Sequence, residues 1–220
     1  MAELEPTPPA DLEVRPPQQR RSREAWSRVL DAGVAILEDG GSEAFTIAAV
    51  CARAGVAPPA IYARTTSKDA LFLAVYEHGI ARLLADQAVL ADPARWDGLA
   101  PAELVRAAVA EVVRVFLRHE RFLRAVVLVS AAHPEVRRRG SGYGRLLGDQ
   151  FGAVVLRAAG AITHPDPPAA VRACFGTVFA AAVIRVAYGP GFAASAETSD
   201  EVFAADLGET AVRYLLAECP

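Results

Sequence analysis

Three groups of residues have types and spacing that could do chemistry. His78, His119, His133 and His164 could ligate a metal or move protons, but they are dispersed and none has a partner at metal-ligand spacing, so no metal site is expected. Glycines at 140, 142, 144 and 148 have the density of a phosphate-cradling loop, yet no strand precedes them and no lysine stands in register. A nucleophile elbow and a dinucleotide fingerprint are also missing, so the sequence predicts no catalytic residues, no enzyme and no cofactor. The third group is cationic: Arg137, Arg138 and Arg139 could draw an anion, although a charge run at a helix start is ordinarily solvated.

A second cationic region is more informative. Residues 14–68 hold Arg15, Arg20, Arg21, Arg23, Arg28, Arg53, Arg64 and Lys68 against Glu24, Asp31, Glu38, Asp39 and Glu43, a net basic segment in a chain of net charge −3. Phosphate binding needs only a local basic surface, so the overall charge does not exclude nucleic acid.

The elements that position these residues all read as helices. Trp26, Val29, Leu30, Gly33, Ile36 and Leu37 recur at helical spacing until Gly40 and Gly41 stop the pattern. Thr46 is an N-cap for a short second helix, with Phe45 and Val50 at staple spacing. Gly55 permits a sharp turn, and Pro58 opens a brief third helix that ends near Ala63 or Arg64. Ser67 caps a long fourth helix whose inner face carries Leu71, Phe72, Val75, Gly79 and Leu83. Further on, Leu104 to His119 and Tyr143 to Ala158 form apolar stripes, and Phe122 to Ala132 is apolar nearly all round, which predicts a buried helix. Val171 to Tyr188 and a last helix opened by Thr198 and Glu201 at capping-box spacing complete an all-α chain of about nine helices.

Residues 1–20 are rich in Pro, Glu and Gln and are expected to be a disordered arm. The cysteines, Cys51, Cys174 and Cys219, are widely spaced and odd in number, which fits a reducing compartment. The N-terminal residues lack a signal-peptide pattern, and Phe175 to Tyr188 is cut by Arg185, so a cytoplasmic protein without membrane insertion is expected.

The run Thr46-Ile-Ala-Ala-Val-Cys-Ala-Arg-Ala-Gly-Val-Ala-Pro-Pro-Ala-Ile-Tyr62, followed by Ser67-Lys68-Asp69-Ala-Leu71, resembles the TetR family of transcriptional regulators over Arg23 to Val75. The resemblance implies a helix-turn-helix DNA-binding domain at 21–68 and a helical ligand-binding and dimerisation domain at 69–220. It also implies a homodimer and a ligand cavity in the C-terminal part, with Tyr62 and Lys68 at positions that contact the DNA backbone. Two residues depart from the family pattern: Thr65 stands where a Phe is usual, and Pro59 adds a second proline to the recognition helix.

The expected function is a repressor that holds a palindromic double-stranded operator as a homodimer and is released by a small, largely apolar effector. The alternative is a helical partner- or metabolite-binding protein with weakened DNA binding. Thr46 offers a hydroxyl and free helix N–H groups to a phosphate. Ala57, Pro58, Pro59 and Ala60 lack hydrogen-bonding side chains, so base contacts are expected from methyl and ring contacts with thymine and from Arg64, with DNA shape contributing. Expected cavity walls are Phe116, Phe122, Val126, Ser130, Phe151, Val155 and Phe179. His119, His133 and Gln150 are the expected polar points. The dimer contact is expected from the last two helices, where Ala173, Ala180 and Ala181 allow close approach.

Overall fold

A computed structural model describes residues 20–192 and 197–217. The expected N-terminal arm therefore lies outside the described residues, apart from Arg20. Among those residues there are nine α-helices and no strands: α1 (Arg20–Ala44), α2 (Ile47–Ala54), α3 (Pro58–Tyr62), α4 (Lys68–Gln87), α5 (Pro101–Arg118), α6 (Glu120–Ser130), α7 (Pro134–Val155), α8 (Pro167–Tyr188) and α9 (Asp200–Leu216).

The apolar spacing of α1 buries Trp26, Val29, Ile36 and Leu37. Gly41 interrupts this helix as expected: its φ of 67° and ψ of −164° are non-helical and cheap only for glycine, and residues 42–44 add a short turn beyond the kink. Thr46 Oγ1 accepts from Ala49 N at 3.0 Å, and Gly55 closes α2 in the left-handed region at φ 65°, ψ 41°. Proline at the first position of α3 loses no hydrogen bond. Ser67 Oγ accepts from Ala70 N at 3.1 Å and starts α4.

α1 packs on α2, α4 and α6; α9 lies along α5, and α8 is surrounded by α5, α6, α7 and α9. α8 is long and apolar enough to cross a membrane by length and composition, contrary to the interruption expected at Arg185. Its Val171, Cys174, Val178, Ala182 and Val186 are nevertheless core residues, and Arg185 bonds Asp200 and the Thr198 carbonyl.

Two further expectations change. Ser199, not Thr198, caps α9, accepting from Val202 N at 3.3 Å. The helix at 120–130 is buried on one side only: Phe122, Leu123, Ala125 and Val126 face inward, whereas Leu128 is 48 % exposed. Arg121 and Arg124 interrupt its apolar run, so the sequence never had a full apolar circumference to bury.

Candidate nucleic-acid interface and internal cavity

The α2–turn–α3 unit is built on Val50, Cys51, Ala54 and Ile61, all buried against α1 and α4. That packing leaves an outer surface of Thr46, Ala57, Pro58, Pro59, Ala60, Tyr62 and Lys68, all exposed. Tyr62 is 58 % exposed despite its size. Thr46 presents a helix N-terminus at one end of this surface and Lys68 begins α4 at the other, so both helix starts add partial positive charge to it.

Several of the arginines expected to supply cationic surface are engaged within the protein. The Arg64 guanidinium lies 5.8 Å over the Trp26 ring and donates to Ser22 Oγ, which draws it toward α1. Arg53 bonds Asp39 at 2.7 Å, and Asp39 also accepts from Arg121 of α6 at 2.7 Å. The hydrogen bond from Arg53 is the main reason the Asp39 carboxyl is held below its usual range. Arg20 pairs with Glu24, whereas Arg23 and Lys68 are exposed.

Thr65 is 2 % exposed, and its hydroxyl donates to the Ile61 carbonyl at 3.2 Å. A small, back-bonded residue thus fills the joint between α3 and α4 with its polar atom satisfied.

Behind this unit α4 runs into the helical body, tied to α1 by Asp31, which accepts from His78 at 2.8 Å and from Arg82. Burial works to raise the Asp31 pKa, but the bonds from His78 and Arg82 leave it lowered.

α4, α5, α6, α7 and α8 line a half-open cavity of about 1110 Å³. Phe116, Val126, Ser130 and Phe179 line it; His119, Phe122, His133, Gln150, Phe151 and Val155 do not. His119 bonds Asp86 at 2.8 Å, and Phe122 lies where a Cβ on Gly79 would sit. His133 stacks on Phe72, and its Nδ1 accepts from Val136 N. Gln150 accepts from Gln87, while Phe151 and Val155 are core residues.

The cavity wall also contains residues that sequence reasoning missed. Tyr76 and Gln87 come from α4, Tyr143 and Arg145 from α7, and Arg172 and Phe175 from α8. The available signal was the repeat of Gly140, Gly144, Gly148 and Gly152 every fourth residue, which places four missing side chains on one face of α7. At Gly148 a Cβ would come within 2.8 Å of the Phe175 ring. Beneath this wall Glu77 accepts from Arg139 at 2.7 Å and from the Tyr143 hydroxyl. Burial, then that bond to Glu77, raises the Tyr143 pKa.

Residues 29–75 match the family model of bacterial regulatory proteins of the tetR family. Among solved structures, a TetR-like transcriptional regulator from Rhodococcus sp. RHA1 is 25 % identical with a TM-score of 0.60, over 86 % of this chain and 94 % of that one. A tetR-family regulatory protein from Rhodococcus RHA1 is 18 % identical with a TM-score of 0.66, over 89 % and 98 %. A regulatory protein from Streptomyces coelicolor A3(2) is 15 % identical with a TM-score of 0.62, over 87 % and 98 %. No curated protein matches the chain.

Proposed function

We propose that this chain, which has the helix-turn-helix motif and the fold of the tetR-family transcriptional regulators, is a cytoplasmic, non-enzymatic repressor. It binds a palindromic operator as a homodimer and lets go when a small molecule fills the cavity. The observation that carries this reading is the outward surface of the α2–α3 unit, where Thr46, Tyr62 and Lys68 stand exposed around a proline-opened α3. Such a surface has no use in the monomer's own packing.

Dimerisation is supported by an apolar face on the last two helices. Ile184, Tyr188 and Tyr214 are 39 %, 52 % and 49 % exposed, and Ala173 and Ala180 beside them let a symmetry mate approach closely. A two-fold axis there sets two α3 helices roughly 34–36 Å apart, or a multiple of that, on one side of a duplex.

Selection of bound duplexes from a random pool tests the reading. Enrichment of a two-fold symmetric site, with affinity falling steeply as salt rises, is the expected result. A second reading, a metabolite-binding helical protein with weakened DNA binding, draws on the engagement of Arg53 and Arg64 within the protein. A pool that yields no enriched sequence favours that second reading and overturns the first.

A further inference from the structure

The cavity has two chemically distinct parts. Its inner wall is aromatic and aliphatic: Phe116 and Phe179 meet edge to face at 5.5 Å, and Phe175 lies 5.5 Å from Phe179. Along this wall the glycine face of α7 runs from Gly140 to Gly152, about 18 Å at 1.5 Å per residue. An extended hydrocarbon advances about 1.3 Å per carbon, given carbon–carbon bonds of about 1.5 Å, so that length takes a chain of up to about fourteen carbons.

The lip is cationic. Arg137, Ser141 and Arg145 repeat every fourth residue on α7, and Arg172 of α8 joins the wall nearer Gly152, since Phe179 meets Gly144 and Phe175 meets Gly148. All three guanidiniums are exposed, and no hydrogen bond or ion pair joins them to another described residue. Several other arginines are paired, Arg139 with Glu77 and Glu135, Arg114 with Glu111 and Arg106 with Glu209, whereas Arg23 and Arg124, outside the cavity, are exposed like the three on its wall. Among the described residues Asp149 is the one carboxylate on the cavity wall, against Arg137, Arg145 and Arg172, so the wall keeps a net positive charge. Inside, Tyr76 lines the cavity, and its hydroxyl makes no hydrogen bond to another described residue.

We propose that the cavity takes an elongated amphipathic anion, its hydrocarbon chain along the glycine face of α7 and its carboxylate or phosphate at the arginine lip. The inference rests on the effector reading above and narrows it from a largely apolar ligand to one with a charged head. A cationic or uncharged molecule of the same shape would gain the apolar contacts but leave the three guanidiniums without a counter-charge.

The test is calorimetric titration of the full chain, without DNA, using dodecanoate, dodecyl phosphate, dodecan-1-ol and dodecyltrimethylammonium below their micelle concentrations. Both anions should bind about 10-fold more tightly than the alcohol, as expected for one or two solvent-facing ion pairs, and the ammonium should bind least. Whichever anion binds more tightly identifies the natural head as a carboxylate or a phosphate. Arg137→Gln, Arg145→Gln and Arg172→Gln should each weaken the anions about 2- to 5-fold and leave the alcohol unchanged. Gly152→Leu, where a Cβ meets nothing within 4 Å, should keep the fold and weaken every probe by filling the cavity.

Equal affinity for all four probes, or anion binding indifferent to the arginine variants, overturns the proposal. A separate titration of DNA distinguishes the two levels. Anions that bind through the arginines without lowering DNA affinity leave this inference standing and overturn release by effector. DNA release by the ammonium alone does the reverse.

Discussion

Gly33→Ala gives a sharp test of how α1 holds α4. A Cβ built on Gly33 would lie 2.4 Å from Val75 Cγ2 and 2.9 Å from its Cγ1, far inside van der Waals contact. Val75 is fully buried and β-branched, so its rotamer cannot swing the methyls away at low cost. Overpacking of this severity belongs near the upper end of its range, about 3 kcal/mol. Replacing a mid-helix glycine with alanine favours the helix by about 1 kcal/mol, leaving a net loss of about 2 kcal/mol. Val75→Ala alone removes two buried methyl groups and costs about 2 kcal/mol. In the double variant the two methyl clashes are gone and only the Val75 Cβ contact at 3.2 Å remains, so it should be more stable than Val75→Ala alone by up to the helix gain of about 1 kcal/mol. Urea unfolding of the four proteins measures this cycle. Stabilisation by Gly33→Ala, or additivity in the cycle, would refute the claim that close helix contact rather than helix propensity explains this glycine.

Three further outcomes are expected. Lys68→Ala and Tyr62→Ala should weaken binding to all duplexes alike, with the salt slope for Lys68→Ala reduced by about 1, whereas Arg64→Ala should lower stability more than it changes sequence preference; filter-binding titrations across salt concentrations and a melting curve check both. Tyr214→Asp paired with Ile184→Asp should give a monomer by sedimentation that still binds the cavity probes and loses high-affinity operator binding. Glu135, held at a pKa of about 2 by hydrogen bonds from Arg138 and Arg139, contributes stability that is full above its usual 4.5 and lost as pH falls toward 2. Glu135→Gln should therefore make the urea midpoint less sensitive to pH across that window, and an unchanged pH profile would count against the assigned bonds.

The N-terminal unit was legible in the sequence because its signals are local. The caps Thr46 and Ser67, the turn glycine Gly55 and the proline opening α3 each act within four residues, and each stands where the sequence places it. The stop at Gly40–Gly41 was legible for the same reason, since the non-helical φ of 67° and ψ of −164° at Gly41 are a local property of glycine. The cavity was only partly legible. A stripe of Phe and Val has the same period whether it faces another helix or a void, so Phe116 and Phe179 could not be told from Phe122 and Phe151. The missing side chains of the α7 glycines, rather than the side chains present, were the informative pattern. Arg64 shows the opposite limit, since nothing in sequence spacing indicates that Trp26, far away in the chain, holds it.

If filling the cavity is to weaken DNA binding, a strain at α7 must reach Thr46, and two routes connect them. One is electrostatic: Asp39 joins Arg53 of the DNA-facing unit to Arg121 of α6, but every side chain in it is about half exposed or more, and such pairs contribute no more than about 1 kcal/mol each. The other is packed. His133 accepts from Val136 N at the first turn of α7 and stacks on Phe72 of α4 with centroids 5.7 Å apart. Phe72 meets Phe45 edge to face at 5.3 Å, and Phe45 immediately precedes Thr46. Because Nδ1 accepts, the proton of neutral His133 is on Nε2, which is buried without a partner, so this junction is already less than fully satisfied. A coupling of about 1–3 kcal/mol is needed for a 5- to 150-fold change in affinity. Displacing three rings that are in direct contact can supply it where two solvent-screened ion pairs cannot, so the aromatic line from α7 through Phe72 to Phe45 is the stronger mechanical link between cavity and DNA surface.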